Sequence, residues 1–317
     1  MAAKRGSTGL SAIIAVDKPS GCTSHDVVNR IRRITGERRV GHAGTLDPMA
    51  TGLLIVCIGP AARLSDYIMG KTKAYEGTIA FGIRTDTDDA TGEVVETGPA
   101  GAELLDAGAA ADRVASLVGT FMQMPPQYSA KKRDGRKAYE LARKGEEAVL
   151  DPVEITVGAA RLLAVEERAG IAGDDRPLPC WDVELEVSKG TYIRSIARDM
   201  GADAGTCATL AALRRTRVGD ISVADAIDLD QFEASYAPEM LEFACIDPVA
   251  AIGLPALEAD ESMMRDVSNG RMIDVGRPFA GPVAIVCGGR LHAVYEPRGQ
   301  RLACKAMIPG GVMGARS

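Results

Sequence analysis

The chain has 317 residues, 46% hydrophobic and 25% charged, with a formal charge of −6. That length and balance describe an ordinary folded chain of one large domain and a smaller one, and exclude a largely disordered protein. No stretch approaches the roughly 20 apolar residues of a membrane helix, and neither the seven cysteines nor the three histidines show metal-ligand spacing.

In chain order, Lys4-Arg5 and the apolar run Leu10 to Val16 faintly resemble an export signal. A run of seven residues, Ser11 among them, is too short, and Asp17-Lys18-Pro19 separates it from Cys22, so Ala12 to Val16 reads as a strand in a cytoplasmic protein with reduced thiols. Ser24 is expected to cap a helix with Val27, Val28, Ile31 and Ile34 on one face. Leu53 to Ile58 reads as a buried strand, and alternation through Tyr75-Gly77-Ile79-Phe81 and Trp181-Val183-Leu185-Val187 predicts half-buried ones. Helices are expected over 60–69, 102–118, 135–144, 191–201 and 207–213. The segment 121–151, with Pro125-Pro126, reads as an excursion from the sheet. A new pattern begins after Asp247-Pro248, with short strands at Pro282 to Val286 and Leu291 to Tyr295, and the tail around Gly310-Gly311 is expected to fray.

The net charge counts against nucleic acid, but its distribution does not. Basic clusters occur at Arg30, Arg32, Arg33, Arg38 and Arg39, over residues 131–144, and at Arg214, Arg215 and Arg217, while residues 218–264 hold no Lys or Arg. The clusters read either as solvated helix faces or as an RNA-facing side, and the acidic stretch as a surface turned away from RNA. Asp86-Thr87-Asp88-Asp89 has the look of a metal loop but fails the calcium-hand template at Ala90, Thr91 and Thr97, so no metal is expected.

The most informative stretch is Gly41-His42-Ala43-Gly44-Thr45-Leu46-Asp47-Pro48-Met49-Ala50-Thr51-Gly52. Glycines open conformations closed to other residues and Pro48 fixes φ beside the acid, so Asp47 is expected in a tight, preset loop at a strand edge. On these grounds alone Asp47 reads either as a turn-former or as a reactive carboxylate.

This stretch resembles the signature of the TruB-type tRNA pseudouridine synthases, whereas other pseudouridine synthase families carry Arg-Leu-Asp where this chain has Thr45-Leu46-Asp47. Further segments agree in the same order: Asp17 to His25, Lys73-Ala74-Tyr75, Thr85 to Asp88, Gln123 to Ala130, Lys189 to Arg194 and Leu213-Arg214-Arg215. Ala43 and Met49 stand where many relatives have threonine and leucine, and neither touches a proposed catalytic group. The resemblance implies an α+β fold with a mixed, mainly antiparallel central sheet flanked by helices. It further implies a catalytic domain over residues 1–247 with a thumb-like insertion at about 121–151, and a small β-rich, PUA-like RNA-binding domain over 248–317.

The implied reaction isomerises uridine 55 in the T-loop of tRNA, without cofactor, metal or guide RNA. Guide-dependent relatives lack the Pro-Pro-x-Tyr-Ser-Ala insertion, and the chain is expected to act as a monomer. Asp47 would be the catalytic carboxylate, as nucleophile, base or electrostatic stabiliser. Arg194 would pair with it and keep it ionised. Tyr75, otherwise a core tyrosine, would stack on the flipped base; His42 would fill the vacated space, and Lys18, Tyr192 and Leu213 would line the pocket. The competing readings are a tRNA-folding chaperone that needs no turnover, and a carboxylate-dependent hydrolase, for which no water-positioning base is evident.

Overall fold

The most apolar runs of the chain become its central strands, as sequences buried on both faces do. The computed structural model describes residues 8–128, 150–237, 241 and 244–316, with the backbone alone of 132, 133, 136 and 137. The chain divides into two units, Met1–Lys71 with Arg217–Ser317, and Thr72–Thr216.

In the first unit, β1 (Ala12–Lys18) runs antiparallel to β3 (Thr51–Ile58), from Ala12 opposite Ile58 to Lys18 opposite Gly52. Strand β2 (Val40–His42) pairs with the end of β3, and β14 (Ile227–Asp228) lies parallel to β1. Helix α1 (Ser24–Thr35) buries Val27, Val28 and Ile31 as its periodicity predicts, but its cap is Thr23, not Ser24. Thr23 and Asp26 form a reciprocal capping box, and Gly36 at φ 68° ends the helix. The helix expected over 60–69 is a 3-10 turn, Gly59–Leu64, leading into α2 (Ser65–Met69).

The C-terminal part of this unit is a four-stranded sheet, ordered β15 (Ala256–Glu258), β16 (Val283–Cys287), β17 (Arg290–Arg298), β18 (Arg301–Met313). One core joins Ile13, Leu53 and Ile55 to Ala284, Leu291 and Val312, so this sheet packs into the same unit as β1 and β3. The tail expected to fray is instead the end of β18. Gly310 and Gly311, at φ 79° and 68°, bend the strand, and Val312 beyond them is buried opposite Leu291.

The second unit is built on the strand order β12 (Ala208–Val218), β4 (Lys73–Phe81), β11 (Leu178–Val187), β10 (Val153–Arg168), β7 (Gly119–Gln123). The pairings of β4 with β11, β11 with β10 and β10 with β7 are antiparallel. A hairpin of β5 (Ile83–Thr85) and β6 (Val94–Thr97), α3 (Ala107–Ala115) and α4 (Ile193–Asp203) complete it. The mixed, mainly antiparallel pattern with flanking helices is therefore present. Residues 207–213, expected as a helix, are the start of β12. Alanine and leucine favour helix, but Ala208, Thr209 and Leu210 are fully buried in a strand beside β4, and sheet burial overrides intrinsic propensity. The helix expected over 135–144 falls outside the described residues, apart from the backbone of Arg136–Lys137, which pairs with Lys132–Arg133.

Candidate active site

Asp47 lies half-buried in a loop between β2 and β3, closed by a turn in which Ala50 N–H donates to the Asp47 carbonyl at 3.1 Å around Pro48. This loop is gripped by residues 18–24. The Ser24 hydroxyl, displaced from capping by Thr23, accepts from Leu46 N–H at 2.9 Å and donates to the Leu46 carbonyl at 3.2 Å. Gly21 N–H donates to the Pro48 carbonyl at 2.9 Å, and Ser20 Oγ to the Met49 carbonyl at 3.1 Å. Lys18 is wholly buried, and its Nζ donates to the carbonyls of Cys22 at 2.7 Å, Pro19 at 2.9 Å and Pro48 at 3.2 Å. Both neighbours of Asp47 are thereby pinned by groups far away in sequence, which presets the carboxylate before any ligand arrives. His42 ends β2, opposite Val56 on β3.

In the second unit, α4 carries the next group of expected residues. Tyr192 is its N-cap position, held by the buried side chain of Gln123, whose Nε2 donates to Tyr192 O at 3.0 Å while Tyr192 N donates to Oε1 at 2.9 Å. Arg194 follows in the first turn, only 4% exposed, so it is no helix-surface arginine. Its guanidinium donates to the carbonyls of Thr87 at 2.9 Å and Tyr128 at 3.0 Å, and its Nε lies 3.7 Å from Asp89.

The acidic loop 85–91 thus proves to be the cradle of α4's arginines. Asp89 Oδ1 accepts from Thr87 Oγ1, Thr91 N and Thr91 Oγ1, and Asp88, in the left-handed region at φ 59°, faces Arg198 at 3.4 Å. Burial pushes the Asp88 carboxyl up, against the opposing pull of Arg198 and Arg194. Ser24, Gln123 and Asp89 have roles that motif reading missed; the available signal was a small or polar side chain inside a matched segment, with no partner nearby in sequence.

Tyr75 sits on β4, 9% exposed. A Cβ at Gly77, two residues on, would lie 3.6 Å from the Leu213 side chain, so Leu213 and the Tyr75 face of β4 share one side of the sheet. Burial pushes the thiols of Cys57 and Cys180 up to about 12 and about 11, which makes them inert at neutral pH.

The basic clusters are less uniform than the sequence implies. Arg30 pairs with Glu233 and with Asp230 at 2.6 Å, and Arg33 with Glu233 at 3.2 Å, so the acidic segment neutralises part of the first cluster and leaves Arg38 and Arg39 exposed. Arg215 is 1% exposed and belongs to the interior. The cluster over 131–144 lies outside the residues whose side chains are described. Among the described residues no helix is long and apolar enough to cross a membrane.

The family description "TruB family pseudouridylate synthase (N terminal domain)" matches residues 32–193, and "tRNA pseudouridylate synthase B C-terminal domain" matches 194–252. A tRNA pseudouridine synthase B of Leifsonia xyli is 42% identical over 314 residues, covering 94% of this chain and 97% of the relative. One of Thermobifida fusca is 43% identical over 287 residues, covering 90% and 94%. Among solved structures, an H/ACA ribonucleoprotein bound to a substrate RNA has a TM-score of 0.67 at 21% identity, covering 95% of this chain and 85% of that one, which shows a shared fold. The chain belongs to the TruB family of pseudouridylate synthases.

Proposed function

We propose that the protein converts uridine 55 in the T-loop of tRNA to pseudouridine, without a guide RNA, with Asp47 as the catalytic residue. The observation that carries this reading is the Asp47 loop: a carboxylate whose two chain neighbours are clamped by Ser24, Gly21 and Lys18, inside the signature of a family of tRNA pseudouridine synthases. The reaction breaks the bond from C1′ to N1, turns the base and joins C1′ to C5; the proton at C5 goes to water and N1 takes one up. Atoms and electrons balance with no redox partner. An ionised carboxylate at C1′ meets the requirement, as in glycoside chemistry.

In this reading Arg194 keeps that carboxylate ionised, and a buried guanidinium fixed by two carbonyls has little freedom to leave its post. Tyr75 stacks on the extruded uracil, with Leu213 and Tyr192 lining the pocket; stacking returns roughly 1–3 kcal/mol of the flipping cost. His42 fills the place of the extruded base. Lys18 acts through the loop it braces. Residues 248–317 form a PUA-like RNA-binding module beside the catalytic domain of 1–247, the insertion at 121–151 covers the RNA, and the chain works as a cytoplasmic monomer.

The test uses an unmodified tRNA transcript tritiated at uridine C5. Wild-type protein should release label to water, and Asp47→Asn should bind tRNA without releasing it. Replacing uridine 55 by cytidine should abolish release. Label release by the Asn variant equal to wild type would refute the assignment of Asp47, and tRNA binding without any release by wild type would refute the activity.

A further inference from the structure

We infer that Arg38 and Arg39 form a phosphate-binding site that holds the tRNA backbone beside the nucleotide presented to Asp47. The inference rests on the reading of tRNA as the substrate. Of the five arginines in the stretch 30–39, three are committed within the protein. Arg30 and Arg33 are paired with Asp230 and Glu233, and Arg32 donates from Nη2 to the Val40 carbonyl at 2.8 Å and from Nη1 to Asn29 Oδ1 at 3.0 Å. Arg38 and Arg39 are exposed, and among the described residues neither guanidinium has an ion pair or a hydrogen bond.

The carboxylate next to them in the chain is occupied elsewhere. Glu37 directly precedes the pair, but it is 3% exposed and bonded to the backbone: Oε1 accepts from Arg39 N–H at 2.9 Å, and Oε2 accepts from Thr8 N–H at 2.9 Å and Thr8 Oγ1 at 3.1 Å. The main chain of the pair is fixed at two further points, since the Arg38 carbonyl accepts from Val40 N–H at 3.2 Å and the Arg39 carbonyl from Gly59 N–H at 2.6 Å. The backbone is thus held while both guanidinium forks stay open to solvent. A fixed backbone lowers the ordering cost of gripping an anion, and a planar fork matches the oxygens of a phosphate. The position suits RNA. Arg39 leads directly into β2, His42 lies three residues along it, about 10 Å at strand spacing, and the loop that carries Asp47 begins there. An RNA whose target nucleotide occupies that loop has its neighbouring phosphates at this range. A chain with a formal charge of −6 repels a polyanion at long range, so local contacts of this kind must supply the attraction.

Binding of an unmodified tRNA transcript across a salt series tests this with Arg38→Ala, Arg39→Ala, the double alanine variant and Arg30→Ala beside wild type. Each phosphate contact adds roughly 0.7–0.9 to the slope of log affinity against log salt, so the double variant should lose roughly 1.4–1.8 of that slope. A hydrogen bond to a charged group is worth about 10-fold in affinity, and each single variant should bind about 10-fold more weakly at a fixed salt concentration. Single-turnover tritium release from C5-labelled tRNA, at saturating protein, should keep the wild-type rate, because the contact is the same before and during the reaction. Arg30→Ala removes a paired cation of the same cluster and should leave the slope unchanged, and replacing both Arg38 and Arg39 by lysine should retain most of it, since the charge remains. An unchanged slope in the double alanine variant would overturn the inference and leave the pair to a protein partner. So would an equal fall in Arg30→Ala, which would mark a diffuse field, or a slower rate at saturation with unchanged affinity, which would place the pair in the chemistry. If the double alanine variant melts early, the two single variants decide by the same slope. Wild-type protein that binds tRNA but releases no tritium would instead refute the proposed isomerisation, a result separate from the slopes that decide the phosphate site.

Discussion

Replacing Ser24 by alanine isolates the clamp on the Asp47 loop. The Ser24 side chain is 2% exposed and touches both polar groups of Leu46, accepting from its N–H at 2.9 Å and donating to its carbonyl at 3.2 Å. It has no part in capping α1, which Thr23 and Asp26 perform, so the substitution leaves the helix start intact. Two neutral hydrogen bonds contribute about 1 kcal/mol each, and a buried N–H left unpaired costs about 1–3 kcal/mol, so a loss of about 2–3 kcal/mol is expected. For a chain of this size that lowers the melting midpoint by about 2 °C per kcal/mol, or about 4–6 °C. Leu46 directly precedes Asp47, and a carboxylate displaced by about 1 Å loses about 100-fold in rate. Single-turnover tritium release should therefore drop while tRNA affinity, which a buried hydroxyl cannot serve directly, stays unchanged. A variant that melts within about 1 °C of wild type and turns over at full rate would refute the clamp.

Gln123→Leu should lower the rate without abolishing binding, because it removes both hydrogen bonds that seat Tyr192 at the head of α4; limited proteolysis or hydrogen exchange at residues 192–195 would register the loosening. Asp89→Asn should destabilise the protein by about 1.5–3 kcal/mol in chemical denaturation, since it removes the charge that strengthens the hydrogen bonds Asp89 accepts from Thr87 and Thr91 and that lies 3.7 Å from the buried Arg194. Burial would raise the Asp182 carboxyl, but hydrogen bonds from Arg168 and Thr78 outweigh it and hold it below its ordinary value. A lowered folded value contributes stability above the unfolded carboxylate's pKa of about 4 that is lost as pH falls through the folded one. The denaturation midpoints of wild type and Asp182→Asn should therefore differ fully at neutral pH and converge in acid; a constant difference would refute the linkage.

By itself the sequence determined what depends on neighbours along the chain. Glycines and Pro48 around Asp47 dictate a tight loop, alternation from Trp181 to Val187 dictates a half-buried strand, and an ordered set of short motifs identifies the family, because turn chemistry and side-chain periodicity act over a few residues, whereas Tyr75 to Phe81, expected half-buried too, is buried on both faces by its neighbours in the sheet. Only the tertiary structure decided what depends on distant partners. Ser24 looked like a helix cap until Leu46, 22 positions away, was seen to claim its hydroxyl. Residues 208–213 carry helix-favouring alanine and leucine, yet a place beside β4 makes them strand. The loop Thr85 to Thr91 had a motif and no purpose until its carbonyl and carboxylate met Arg194, more than a hundred residues on. Polar groups removed from water must find partners wherever the fold brings them, and that choice is made by packing in three dimensions, which no local pattern encodes.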